Sequence, residues 1–149
     1  CNTDEDPAKE ATYLDLMQQE RVTGIILAPS RQRVVKAGDL ALDCPVVLID
    51  RAIPGAREDC VLLDNEAMAG LLLEHLHERG HRRIAGLFGA SSSTGIERRQ
   101  GFEQAAARLG ITVDALSVPH AAGEAERAVS ALLSRPDRPD ALMASNGVM

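Results

Sequence analysis

Ile84-Ala-Gly-Leu-Phe-Gly-Ala-Ser-Ser-Ser-Thr-Gly-Ile-Glu-Arg-Arg-Gln-Gly-Phe102 leaves an apolar run, crosses a corner of small residues and enters charged sequence. From Ile84 to Phe88 no polar residue alternates with the apolar ones, the pattern of a strand covered on both faces. From Thr94 onward the spacing is helical, with Phe102, Ala105, Ala106 and Leu109 on one face and Gly110 placed to end the helix. The stretch is therefore one βα unit with a glycine- and serine-rich corner. A phosphate cradle, a serine nucleophile or a receptor for a small hydroxylated ligand can each be built on such a corner.

The same unit recurs on either side. Upstream, Asp6-Pro7 reads as a helix start, and Tyr13, Leu14 and Met17 form its apolar stripe. The run Val22-Thr-Gly-Ile-Ile-Leu-Ala28, stopped by Pro29, predicts a buried strand, as does Pro45-Val-Val-Leu-Ile49. A helix is expected between them near residues 34–42. Residues 50–59, with Pro54-Gly55 inside, form a polar corner and the best compositional candidate for a lobe boundary. Then come a strand over residues 60–63, a helix capped by Asp64-Asn65 with Met68, Leu71, Leu72 and Leu76 as its apolar face, and Gly80 to stop it. Beyond Gly110 a weak strand near residues 116–118, a helix over residues 124–133 and a strand over residues 141–144 complete the pattern. Repeated βα units with apolar strand runs predict a parallel sheet covered by helices.

Composition narrows the function classes. The chain has 149 residues, of which 45% are hydrophobic, enough for a sizeable core. Only Tyr13, Phe88 and Phe102 are aromatic, so few rings can stack on bases or sugars. A net charge of -6 disfavours nucleic-acid binding by this piece alone, because phosphate contacts need clustered Lys and Arg. Cys1, Cys44 and Cys60 are odd in number and show no metal or disulfide spacing, which favours a reducing compartment. No apolar run approaches the roughly 18 residues of a membrane span.

In parallel α/β sheets ligands gather beyond the carboxyl ends of the strands. The positions to test are therefore residues 28–30, Asp50-Arg51, Asp64-Asn65, the corner after Gly89 and Ser145-Asn146. Gly89 and Gly95 bracket five residues, but no Lys-Ser or Lys-Thr follows, so the nucleotide-binding loop lacks its ammonium. Ser91, Ser92 and Ser93 have no Gly-x-Ser-x-Gly frame and no positioned base, which argues against a nucleophile. His77 and His81 straddle the helix-ending Gly80 and read as solvated or capping groups rather than metal ligands. No catalytic residue, metal site or cofactor is expected.

Six pieces in fixed order resemble one family. They are Val22-Thr-Gly-Ile-Ile-Leu-Ala-Pro29, Pro45-Val-Val-Leu-Ile-Asp-Arg51, Val61-Leu-Leu-Asp-Asn65, His75-Leu-His-Glu-Arg-Gly-His-Arg-Arg-Ile84, Arg98-Arg-Gln-Gly-Phe102 and Ala141-Leu-Met-Ala-Ser-Asn146. Together they resemble the effector-binding core of the lactose-repressor-like transcriptional regulators, kin of the periplasmic sugar-binding proteins. The resemblance implies a periplasmic-binding-protein-like α/β fold of two doubly wound parallel-sheet lobes hinged around a ligand, with residues 1–63 and 64–149 each supplying part of one lobe. It implies that the chain is a fragment, lacking the helix-turn-helix headpiece through which family members bind operator DNA.

The resemblance also implies a ligand set. Asp50 and Arg51 match the pair that contacts sugar hydroxyls, Asp64 and Asn65 match the pair opening the second-lobe helix, Arg98 matches the Arg-x-x-Gly-Phe arginine, and Asn146 matches the Asn of an Asn-Asp pair. Such residues suit hydroxyls or a carboxylate: Arg offers a rigid fork of donors, Asp accepts and Asn does both. The small residues of the corner let a ligand approach the backbone and the helix N-terminus. Arg99 has no family role and is expected to be solvated. Gly147 stands where the family has Asp, and Ala121-Ala122-Gly123 replaces a stacking aromatic, so a small polar or anionic effector fits as well as a sugar.

Two readings follow. In one the chain is the effector-sensing and dimerising region of a cytoplasmic transcriptional regulator, pairing through the helix near residues 34–42 and part of the second lobe. In the other it is a periplasmic solute receptor for a sugar transporter. The turn at residues 80–84 and the three cysteines favour the first.

Overall fold

The computed structural model of the chain describes residues 1–3, 5–30, 42–119 and 121–147. The helix expected near residues 34–42 lies almost wholly outside the described residues. The chain folds as two compact units, Cys1–Leu63 and Asp64–Met149.

In the first unit α1 (Pro7–Gln19) begins where Asp6 accepts hydrogen bonds from the Ala8 and Lys9 N–H groups, and Pro7 occupies the first helical position. The strands β1 (Ile25–Leu27), β2 (Val46–Ile49) and β3 (Asp59–Val61) pair in parallel in the order β1-β2-β3, with Ile26 opposite Val47 and Leu48 opposite Cys60. Leu14, Ile25, Leu27, Leu48 and Ile53 form the core.

Two expectations change here. The corner at residues 50–59 is not a boundary: Ile53 is buried in this core, and β3 returns to pair with β2. Nor is β1 covered on both faces. Ile25 and Leu27 are buried while Ile26 is 73% exposed, because α1 is the only helix of this unit among the described residues.

The second unit is α2 (Asn65–Glu78), β4 (Ile84–Gly89), α3 (Ser93–Leu109), β5 (Asp114–Val118), α4 (Glu124–Leu133) and β6 (Ala141–Ala144). Its parallel sheet has the order β5-β4-β6, so β4 is central and every one of its residues is buried. Phe88 and Phe102 meet at the heart of the core with ring centroids 5.3 Å apart and planes tilted by 58°, a favourable aromatic geometry. Ala69, Leu73, Ile84, Ala105, Ala106 and Met143 surround them.

The apolar face expected of α2 is also corrected. Leu71 and Leu72 are exposed, and the helix buries Ala69, Gly70 and Leu73 instead. Small residues win because α2 lies directly against α3: a Cβ on Gly101 would land on the Glu66 backbone, and one on Gly70 would touch Ala105. A leucine stripe would hold the helices apart.

Candidate functional site

At the carboxyl ends of β4 and β6 the second unit assembles a polar cluster. Ser92 caps α3 by accepting from the Gly95 N–H at 3.0 Å, and Gly95 sits so close to the Gly89 backbone that no Cβ fits. This tight corner sets the first turn of α3, and Arg98, one turn further along, reaches the start of α2 and the end of β6. Its Nε donates to Asn65 Oδ1 at 2.7 Å and its Nη1 to the Ser145 carbonyl at 2.7 Å. Asn65, almost fully buried at the start of α2, donates in turn to Glu97 Oε2 at 2.7 Å. Ser145 is fixed by its own N–H, which donates to the Leu87 carbonyl at 2.9 Å.

Both acceptors that hold Arg98 are neutral: an amide oxygen and a peptide carbonyl. Its remaining nitrogen, Nη2, makes no hydrogen bond among the described residues. Arg98, Asn65 and Ser145, which precedes Asn146, are thus brought together. Asp64 stands at the edge of the cluster and caps α2, accepting from the Ala67 N–H at 2.9 Å. Sequence reasoning placed Ser145 among the positions to test without giving it a contact, and missed Glu97, the immediate neighbour of Arg98. Ser145 Oγ is buried without a hydrogen-bond partner. Arg99 is not merely solvated: it bonds Glu103 at 2.7 Å along the helix and Ser117 Oγ at 2.7 Å.

In the first unit Asp50 and Arg51 follow β2. Asp50 takes a left-handed backbone conformation, φ 67°, which Asp tolerates better than most residues. Arg51 folds back over the end of β1. Its Nη1 and Nη2 each donate to the Glu5 carboxylate at 3.0 Å, and Nη1 also reaches the Pro29 carbonyl at 3.0 Å. Its Nε lies 3.7 Å from Asp50 Oδ2, too far for a hydrogen bond, and is buried without one. Behind this loop the buried Glu10 accepts from the Ser30 N–H at 2.6 Å. A cavity of about 390 Å³ borders Glu5, Glu10, Ser30, Asp50 and Arg51 and extends along the apolar side chains of α1 and β1. Neither Glu5 nor Glu10 carries a sequence signal; their role is visible only in three dimensions.

The histidines belong elsewhere. His81 lies 3.5 Å from Asp140, whose carboxylate also accepts from the Arg82 and Arg83 N–H groups at 3.2–3.4 Å. Burial raises the Asp140 pKa, but these two N–H groups, with the Arg83 and His81 charges, outweigh it, and the carboxyl lies below its ordinary value. Among the described residues no group of three His, Cys, Asp or Glu side chains is placed to hold a metal ion, and no helix is long and apolar enough to cross a membrane. The three cysteines are unpaired.

Residues 1–148 match the family described as periplasmic binding proteins and sugar binding domain of LacI family. The chain belongs to that family. It is 34% identical over 153 residues to the HTH-type transcriptional regulator PtxS of Pseudomonas plecoglossicida, covering 99% of this chain and 44% of that relative. A LacI transcriptional regulator from a Rhodococcus species superposes with a TM-score of 0.77 at 31% identity, over 91% of this chain and 51% of that one. A periplasmic binding protein/LacI transcriptional regulator from Alkaliphilus metalliredigens, solved in complex with D-xylulofuranose, gives 0.67 at 30% identity, over 78% and 43%. The periplasmic-binding-protein-like fold expected from the sequence is therefore the fold of this chain, and it spans less than half the length of the curated relatives it matches.

Proposed function

We propose that this chain is the effector-sensing and dimerising region of a cytoplasmic, repressor-type transcriptional regulator that performs no catalysis. The observation that carries the reading is Arg98. Neutral acceptors orient its guanidinium without compensating its charge, and Nη2 is left to donate to a ligand at the end of β6. Asp50, Arg51, Asp64, Asn65 and Asn146 are the other proposed effector contacts. The effector is a small sugar-like or otherwise polar metabolite; the sugar bound by the Alkaliphilus relative supports that class. Operator DNA is bound through a helix-turn-helix headpiece outside this acidic chain. Relatives named as HTH-type regulators favour this reading over a periplasmic solute receptor. The intact protein is a homodimer, and a monomer in sedimentation at micromolar concentration contradicts that.

The test uses the full-length protein and whichever pentose or hexose most raises its melting temperature. Arg98→Ala removes a charge-assisted hydrogen bond worth about 1.5–3 kcal/mol, so affinity by calorimetry falls about 10- to 150-fold. Arg99→Ala, whose side chain leaves the helix about 100° away, changes it little. Equal losses from the two variants make the corner a basic surface and remove Arg98 from the site.

A further inference from the structure

The two arginines proposed to meet the effector are held in opposite ways, and the difference has a chemical consequence. Arg51 is gripped by a carboxylate in a bidentate pair, the geometry that an effector carboxylate or phosphate takes on a guanidinium. Glu5 already fills that place, with both oxygens at 3.0 Å. The pair is partly buried, with Arg51 16% exposed and Glu5 31%, so bulk water screens it less than a surface pair. The Pro29 carbonyl takes a further Nη1 contact, and Asp50 adds a second carboxylate beside Nε.

The backbone points the same way. Glu5 has φ 61° and Asp50 has φ 67°, so the carboxylates on both sides of Arg51 sit in the left-handed region. Glycine suits that region, and a glutamate gains nothing locally by occupying it. Strain of this kind persists where surrounding interactions over-determine it, and it clusters at ligand sites. Here Glu5 makes a bidentate grip on Arg51.

We infer that Glu5 is a specificity-determining residue: it occupies the Arg51 fork as an internal anion, so that this end of the site refuses phosphate and carboxylate groups and offers acceptors to hydroxyls. The ligand class at the first unit is then a neutral, hydroxyl-donating group. This deepens the reading of Arg51 as an effector contact and rests on it.

The test is titration of the full-length protein with inorganic phosphate at constant ionic strength. Glu5→Gln removes the charge and keeps the length. Glu5→Gly removes the side chain and suits the positive φ, so at least one folded variant is available. Gln opens one arm of the fork and Gly opens both, and one charge-assisted hydrogen bond regained raises phosphate affinity at least about tenfold over the parent. In the variants the Arg51 side-chain N–H resonances shift as phosphate is added. No gain in either variant overturns the inference, and so does a gain that leaves the Arg51 resonances unmoved. Phosphate binding is read without any sugar or operator. Its failure therefore leaves the sugar-effector reading standing, and failure of the sugar titration leaves the phosphate result intact.

Discussion

The two units solve one problem twice, in different chemistry. Each brings an arginine to the carboxyl ends of a parallel sheet and must stop that long side chain from wandering. The second unit does so with an amide oxygen and a peptide carbonyl, which fix Arg98 and leave its charge uncompensated. The first unit uses the Glu5 carboxylate, which fixes Arg51 and neutralises it. The cores differ in the same direction. Around Phe88 and Phe102 the second unit closes on all sides, whereas β1 of the first unit leaves Ile26 open. A well-packed core can support an arginine held in readiness by hydrogen bonds to neutral acceptors. The first unit, whose core is smaller among the described residues, uses an ion pair to fasten its loops.

That contrast can be broken at three depths. The largest effect belongs to Phe88→Ala, which empties the sealed centre of the second unit; about 3–5 kcal/mol of stability should go, seen as an early thermal transition. A loss below about 1 kcal/mol would mean that the aromatic pair is not the keystone of that core. Next comes Arg51→Ala, which removes the bidentate pair with Glu5 and the bond to the Pro29 carbonyl. It should lower stability with no ligand present, by about 1.5–3 kcal/mol, whereas Arg98→Ala should cost affinity first. If the unliganded melting temperature is unmoved by Arg51→Ala, the loop-fastening role is wrong.

The smallest effect is that of Asp140→Asn, and it depends on pH. A carboxyl whose pKa is depressed in the folded state stabilises above its unfolded value of about 3.9. That contribution fades as pH falls through the depressed folded value. The variant should therefore melt below the parent at neutral pH and converge with it in acid. A gap that persists in strong acid would point to lost packing instead of lost charge.

Much of this was legible in the sequence. The all-apolar run from Ile84 to Phe88 announced a central strand, and Asp6, Asp64, Gly80 and Gly110 marked helix ends where they occur. What escaped was set by tertiary contact. The face of α2 was misread because hydrophobicity nominates leucines, while the close approach at Gly101 demands the glycine side of the helix. The corner at residues 50–59 looked like a linker because Ile53 is its one buried residue, and its other ties, Arg51 to Glu5 and β3 to β2, are long-range. Arg98 and Asn65 could be named from the family resemblance, yet their mutual bond could not. Glu5 and Glu10 had no signal at all, because a lone glutamate in a polar stretch looks the same whether it is solvated or buried against a backbone N–H.

The short strand β6 is held at both ends. Before it, the Asp140 N–H reaches the Arg83 carbonyl while its carboxylate holds the start of β4; after it, the Ser145 carbonyl holds Arg98 and the Ser145 N–H holds Leu87. Mechanically this is a beam clamped at its two supports. Tension applied at Gly147 loads the β6–β4 ladder in shear, where its hydrogen bonds share the force instead of unzipping singly. Arg98, bonded to the Ser145 carbonyl, lies in that load path. A tug on the chain there is thus transmitted to the guanidinium itself, and a ligand that stiffens Arg98 should raise the force at which β6 slips.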